Sequence, residues 1–197
     1  MNAQACFFVT GMEQENAEIA RGLRRHDADL LDRLIEQYQH RLLRFLIYLT
    51  GSREAAEDLF QETWLRVLER GNQYDGKHNF STWLFTIARN LSVDALRKKR
   101  PASLDTSTGE DEEPIDLPDA RLPSAFDLVA AREQSELMAG ALGGIPQEYR
   151  EAIVLRFHEE LSLEEIAAIT QIPVGTIKSR IYRGLNHLIP RLKGAHE

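Results

Sequence analysis

The stretch Leu161-Ser-Leu-Glu-Glu-Ile-Ala-Ala-Ile-Thr-Gln-Ile-Pro-Val-Gly-Thr-Ile-Lys-Ser-Arg-Ile-Tyr-Arg-Gly184 decides how the rest of the chain is read. Ser162 stands three residues ahead of Glu165, the signature of a capping box that starts a helix. Ile166 and Ile169 then share one face, and Ala167 is small where a second helix must cross closely. The pattern breaks at Gln171-Ile172, and Pro173 takes a helix-starting position. Val174, Ile177 and Ile181 are spaced to pack back on the first helix. Two short helices, Ser162 to Thr170 and about Pro173 to Arg191, with a tight break between them, describe a helix-turn-helix. The outer face of the second helix carries Thr176, Lys178, Ser179, Arg180, Tyr182 and Arg183, and no acid. Guanidinium groups bridge guanine acceptors, while hydroxyls and ammonium groups hold the phosphate backbone. The bland alternative is a helical hairpin with a solvated basic face. Gln171 falls where such turns often place glycine for its positive φ, so either the turn is adjusted or Gln171 carries mild strain.

Working outward, almost every segment reads as helix and none alternates with period two. Leu31, Leu34, Ile35, Tyr38, Leu42, Phe45, Leu46 and Leu49 recur at three and four, one face of an amphipathic helix from Ala28 to Thr50. Gly51-Ser52 stops it, and Ser52 is placed to cap a helix from about Arg53 to Arg70. That helix turns Ala56, Leu59, Phe60, Val67 and Leu68 inward. Gly71 to Asn79 is polar and aperiodic, a loop. A further helix runs from Phe80 to Arg100, with Leu84, Ile87, Ala88, Leu91 and Ala95 as its buried stripe, and Pro101 ends it. Residues 101–123 hold four prolines and the run Glu110-Asp111-Glu112-Glu113, too little apolar surface to offset chain ordering. Helical patterning resumes from about Ser124. The expected fold is all-α: two small helical domains joined by an acidic flexible linker.

Charge supports that division. The 197 residues carry a net charge of −7, which by itself argues against a nucleic-acid partner. Residues 21–100, however, hold 15 bases and 11 acids, whereas residues 101–130 hold one base and eight acids. Basic patches lie on both sides of an acidic strip, the footprint expected for phosphate backbones or, more plainly, for solvated helix faces. No apolar run reaches the 18 or more residues of a membrane span, and Met1 to Gly11 lacks the basic start of a secretory signal. Cys6 is the single cysteine, so an intrachain disulfide and a Cys-only metal site are excluded, and the cytosol is the expected compartment. There is no phosphate-binding glycine loop and no paired-histidine metal motif, so neither catalysis, cofactor, metal nor small-molecule substrate is expected.

Two further faces carry candidate residues. On the 53–70 helix, Asp58, Gln61, Glu62 and Leu65 fall at i, i+3, i+4 and i+7, with Trp64 beside them. They suit a basic partner helix, or plain solvent. On the 80–100 helix, Arg89, Asn90, Arg97 and Arg100 project away from the apolar stripe, next to Trp83, and ahead of them lies the loop Tyr74 to Phe80 with Lys77. Aromatic rings beside cations suit unstacked bases and phosphates of single-stranded nucleic acid, although Trp83 and Phe80 also read as core residues.

Three strings together, Ala55–Val67, Phe80–Arg100 and Leu161–Gly184, resemble bacterial RNA polymerase sigma factors of the extracytoplasmic-function (ECF) group, in the sigma-70 family. Tyr38–Leu46 extends the match, and only Met1 to about Gln14 falls outside it. The resemblance implies an N-terminal extension (1–14), a region-two domain (15–100), an acidic linker (101–130) and a region-four domain (131–197). Asp58, Gln61, Glu62 and Leu65 would bind the clamp helices of the polymerase largest subunit, and the flap is a second implied contact. Lys77, Phe80, Trp83, Arg89, Asn90, Arg97 and Arg100 would hold the melted −10 element. Thr176, Lys178, Ser179, Arg180, Tyr182 and Arg183 would read the −35 element. Core RNA polymerase, promoter DNA and an anti-sigma factor are the implied partners. Thr86, where many relatives carry arginine, and Gln171 depart from the pattern. The rival from another class is a stand-alone helix-turn-helix regulator whose first domain senses a ligand or dimerises.

Overall fold

The computed structural model describes residues 3–99, 138 and 140–194, all helices and turns with no strand among them. The linker expected over 101–130 and Arg100 lie outside the described residues. In chain order the helices are α1 (Ala3–Arg24), α2 (Ala28–Thr50), α3 (Arg53–Arg70), α4 (Phe80–Lys99), α5 (Gln147–Ile153), α6 (Leu163–Thr170) and α7 (Val174–Gly194). A short 3₁₀ turn, Gly71–Gln73, follows α3, and α5 runs into a π-helical turn, Val154–His158.

The sequence sets most of these bounds through caps. Asp27 accepts from the Leu30 amide at 3.1 Å to start α2. Gly51, at φ 70°, ends it, its amide donating to Ile47 O at 2.8 Å. Ser52 then accepts from the Ala55 amide and starts α3. Between these caps α2 buries Leu34, Tyr38, Leu42, Phe45, Leu46 and Leu49, the stripe expected from its spacing. α3 and α4 pack on it, with Phe45 and Phe85 edge to face at 5.0 Å between centroids.

Two expectations need correction. α4 is rotated from the expected stripe: Phe80, Leu84, Phe85, Ala88 and Ser92 are its deepest residues, and Ile87 is only half-buried. The Ser92 hydroxyl donates to Ala88 O at 2.8 Å, which lets a polar side chain sit in the core. On α3, Leu68 points outward (39% exposed), whereas Trp64 is buried. α1 runs unbroken through residues 14 and 15. Ile19, Ala20 and Leu23 anchor it in the core.

The second half is built on Leu155, Ile166, Ile169 and Ile177, all fully buried. The two halves do not stand apart: α6 packs on α4 and α5 on α2. No helix among the described residues is long and apolar enough to cross a membrane.

Candidate nucleic-acid interface

The helix-turn-helix forms as its caps dictate. The Ser162 hydroxyl accepts from the Glu165 amide at 3.2 Å, and the Glu165 carboxylate accepts from the Ser162 amide at 2.9 Å. Gln171 closes α6 in the left-handed conformation (φ 57°, ψ 35°). The position that invites glycine therefore has the geometry of one, carried by a side chain that pays in strain. Gln171→Gly should raise the midpoint of thermal unfolding by about 2–4 °C, the shift expected for roughly 1 kcal/mol, as read by circular dichroism. An unchanged or lower midpoint would show that the turn carries no strain.

Beyond the turn, Pro173 O accepts from the amides of Thr176 and Ile177, and Ile177 is driven into the core. That fixes the rotation of α7. Thr176, Lys178, Ser179, Tyr182 and Arg183 are left exposed, Tyr182 at 68%. Arg180 is not among them. Its guanidinium turns back to Glu148 at 2.9 Å and straps α7 to α5. Gly184 sits at the crossing of those helices, where an added Cβ would lie 2.6 Å from Ile153 Cδ1 and 3.1 Å from Tyr149 Cβ.

The loop before α4 is held from within and from behind. The Tyr74 hydroxyl donates to His78 O at 2.7 Å, and burial foremost, then neighbouring Tyr38, Asp75 and Glu15, push that phenol up. Asp75 accepts from the Lys77 amide at 3.0 Å and pairs with its ammonium at 3.2 Å, which lowers the carboxyl. Gly76 has φ 77° and lies so close to α1 that an added Cβ would approach Asn16 O to 3.1 Å. Asn16 also donates to the Asn79 side chain at 3.4 Å. Phe80 is the floor of this loop, buried edge to face against Tyr38 and Tyr74. It offers no open surface, which corrects its assignment as a contact. Trp83 is half-buried, 5.3 Å from the Tyr74 ring. Lys77, Asn90 and Arg97 are exposed, whereas Arg89 is occupied by a carboxylate of the second half, Glu151, at 2.7 Å.

On α3 the side turned away from α2 and α4 presents Asp58, Gln61 and Leu65, with Glu62 half-buried and paired to Arg66 at 2.9 Å. Leu65 is 54% exposed, and Leu68, misassigned inward from its spacing, joins it. The apolar centre of this face is thus a leucine pair with acids on its flank. Among the described residues no cluster of His, Cys, Asp and Glu is arranged to hold a metal ion.

Residues 34–102 match the family Sigma-70 region 2, and residues 135–188 match Sigma-70, region 4. The chain is 34% identical over 176 residues to the ECF RNA polymerase sigma factor SigW of Bacillus subtilis, covering 87% of this chain and 93% of that protein. It belongs to the ECF sigma factors of RNA polymerase. The RNA polymerase sigma-H factor of Pseudomonas aeruginosa is 31% identical, over 87% of this sigma factor and 90% of its own length. Among solved structures, CnrH in complex with the cytosolic domain of CnrY shares the fold at a TM-score of 0.67 and 21% identity, covering 91% of this chain and 97% of that one. The sigma factor RpoE in complex with the anti-sigma factor NepR from Bartonella quintana gives 0.65 at 27% identity, covering 82% and 96%. A sigma factor directs transcription initiation.

The two halves of the sigma factor share one hydrophobic cluster, and polar and charged contacts join them as well. Arg41 Nε donates to Glu159 at 3.0 Å, and the Glu159 side chain is fully buried. His158 bridges Arg44, at 3.1 Å, and Glu159, at 3.0 Å. Asn79 donates to Glu165 at 3.0 Å. Burial pushes the Glu165 carboxyl up, but hydrogen bonds from Ser162 and Asn79 outweigh it and hold the group below the usual range.

Proposed function

We propose that region two spans residues 15–100 and region four residues 131–197, on either side of an acidic linker, and that three exposed faces divide the labour. Asp58, Gln61, Glu62, Leu65 and Leu68 of α3 dock the clamp helices of the polymerase largest subunit. Lys77, Trp83, Arg89, Asn90, Arg97 and Arg100 hold the non-template strand of the −10 element, with Phe80 as the floor of the loop. Lys178, Ser179, Tyr182 and Arg183 of α7 read the −35 element in the major groove, Thr176 adds a phosphate contact, and Arg180 positions the helix. The chain acts in the cytoplasm, catalyses no reaction of its own, and answers to an anti-sigma factor, as the RpoE relative does in its complex with NepR.

The observation that carries this reading is the stripe on α3. Leucines at 54% and 39% exposure, three residues apart, lie beside Asp58 and Glu62 on a helix whose other side is packed. An exposed apolar pair with an acidic flank is an interface for a basic helix. Run-off transcription with core polymerase lacking any other sigma tests the proposal, scored on genomic fragments with start-site mapping. Site-selected transcripts are expected. Arg183→Ala should lower −35-dependent initiation by about ten-fold and leave core affinity unchanged, since one lost base contact costs about 1–3 kcal/mol. A fall in core affinity would contradict the role given to α7.

A further inference from the structure

The segment from Gly71 to Asn79, between α3 and α4, has a single 3₁₀ turn of its own, yet it presents Lys77 and leads into Trp83. A stretch with so few backbone hydrogen bonds needs support from outside to keep one position. α1 supplies it. Gly71 has an ordinary helical backbone (φ −57°) but lies so close to α1 that an added Cβ would stand 3.0 Å from Leu23 Cβ and 3.3 Å from Leu23 O. Five residues on, Gly76 meets α1 again: beyond Asn16 O, an added Cβ there would find Asn16 C at 3.3 Å and Ala17 Cα at 3.5 Å. Residues 16 and 23 are seven apart, two turns on one face of a helix. The segment therefore runs along α1, against its chain direction, and meets its backbone near both ends. At each of these two points the missing side chain is what allows the approach. The Asn16 side-chain amide adds a third tie, to Asn79 just ahead of α4. Tyr74, buried between the two glycines, holds the segment to itself through His78 O and carries Trp83 on its ring.

We propose that α1 positions the loop that meets the melted strand, with Asn16 and Leu23 as positioning residues that act through Asn79, Gly76 and Gly71 rather than by touching DNA. The height of Lys77 above α4, and through Tyr74 the lean of Trp83, are then set by α1. A loop held at one height discriminates between bases, whereas a loop free to shift accommodates a wrong base by moving. Promoter choice thus depends on a helix that precedes every residue assigned to the −10 element. The effect on promoter choice rests on the −10 reading given above; the support of the loop by α1 does not.

The test uses the full-length chain and two separate variants, Asn16→Ala, which removes the side-chain tie, and Gly71→Ala, which adds a Cβ against Leu23 without any backbone strain. Amide hydrogen exchange of the free chain reads the loop directly. In both variants residues 71–79 should exchange about five- to ten-fold faster, the factor that one net hydrogen bond or its equivalent is worth, while α2 and α3 keep their protection. With core polymerase, the ratio of run-off product from a start-mapped promoter to product from single-base changes in its −10 element should fall by about five-fold, and affinity for core should stay the same. Unchanged exchange over 71–79 in both variants overturns the support of the loop by α1. Faster exchange spread over α2 and α3 as well also overturns it, because the contacts would then hold the whole bundle and not the loop. Faster exchange confined to the loop with unaltered base selectivity overturns the link to promoter choice. Lys77→Ala then tells which premise failed: if it too leaves initiation unaltered, the −10 reading is wrong, and if it lowers initiation, the reading stands and the height of the loop does not matter. Asn16 is only half-buried, so its alanine variant gives the answer even if Gly71→Ala fails to fold.

Discussion

Leu65→Asp should cut initiation by core polymerase by about a hundred-fold and leave thermal unfolding almost unchanged. The two halves of that expectation have separate causes. Leu65 is more than half exposed in the free chain, so removing its apolar surface takes little from the folded state. On the proposed docking surface it lies at the middle of the α3 face, flanked by Leu68, Gln61 and Asp58. Residues at such centres cost about 2–4 kcal/mol when lost, which corresponds to a factor of roughly 30 to 1,000 in affinity. A carboxylate there would also be desolvated against the partner helix. Competition against a labelled sigma factor for core enzyme measures the affinity, and run-off synthesis measures the consequence. Asp58→Ala with Glu62→Ala should act in the same direction but less, and more at low salt, because flanking charges steer association more than they hold it. Full activity of Leu65→Asp would remove α3 from the docking surface.

Gly184→Val should unfold the −35 head, with a loss of about 3 kcal/mol and a midpoint lowered by roughly 6–12 °C. The reason is the crossing of α5 and α7. A Cβ at residue 184 meets Ile153 Cδ1 at 2.6 Å and the Tyr149 Cβ at 3.1 Å, and two further methyls have nowhere to go. The helices must separate, the Arg180–Glu148 strap is stretched, and α7 loses the rotation that presents its outer face. Alanine gains helix propensity over glycine, so Gly184→Ala should cost less than valine yet still destabilise. Calorimetry of the full chain, with footprinting of the −35 element in the presence of core, distinguishes loss of the head from loss of the whole. A valine variant as stable as the parent would mean that α5 and α7 do not cross as closely as they stand here.

What the sequence made legible is local. Asp27, Gly51, Ser52 and Ser162 bound their helices because caps and stops act within four residues. The left-handed Gln171 was legible for the same reason, from a motif whose turn demands that conformation. Leu68 was not, since on α3 apolar residues nearly encircle the helix and periodicity cannot say which leucine is left over for a partner. The extent of α1 was missed because Met1 to Gly11 shows no clear period. The hold of Glu151 on Arg89 was hidden more deeply. Sixty-two residues separate the two, and each reads locally as a solvated charge. Only the packing of α5 and α6 against region two turns a candidate DNA contact into an occupied one.

The two tryptophans occupy contrasting places. Trp64 is sealed in region two beside Phe60, whereas Trp83 leans half-open on Tyr74 at the mouth of the loop before α4. The molecule thus carries its own optical gauge: intrinsic emission divides into a constant background from one indole and a variable signal from the other. Replacing Trp64 with phenylalanine would isolate the second, so that strand capture can be followed in real time without attaching a dye.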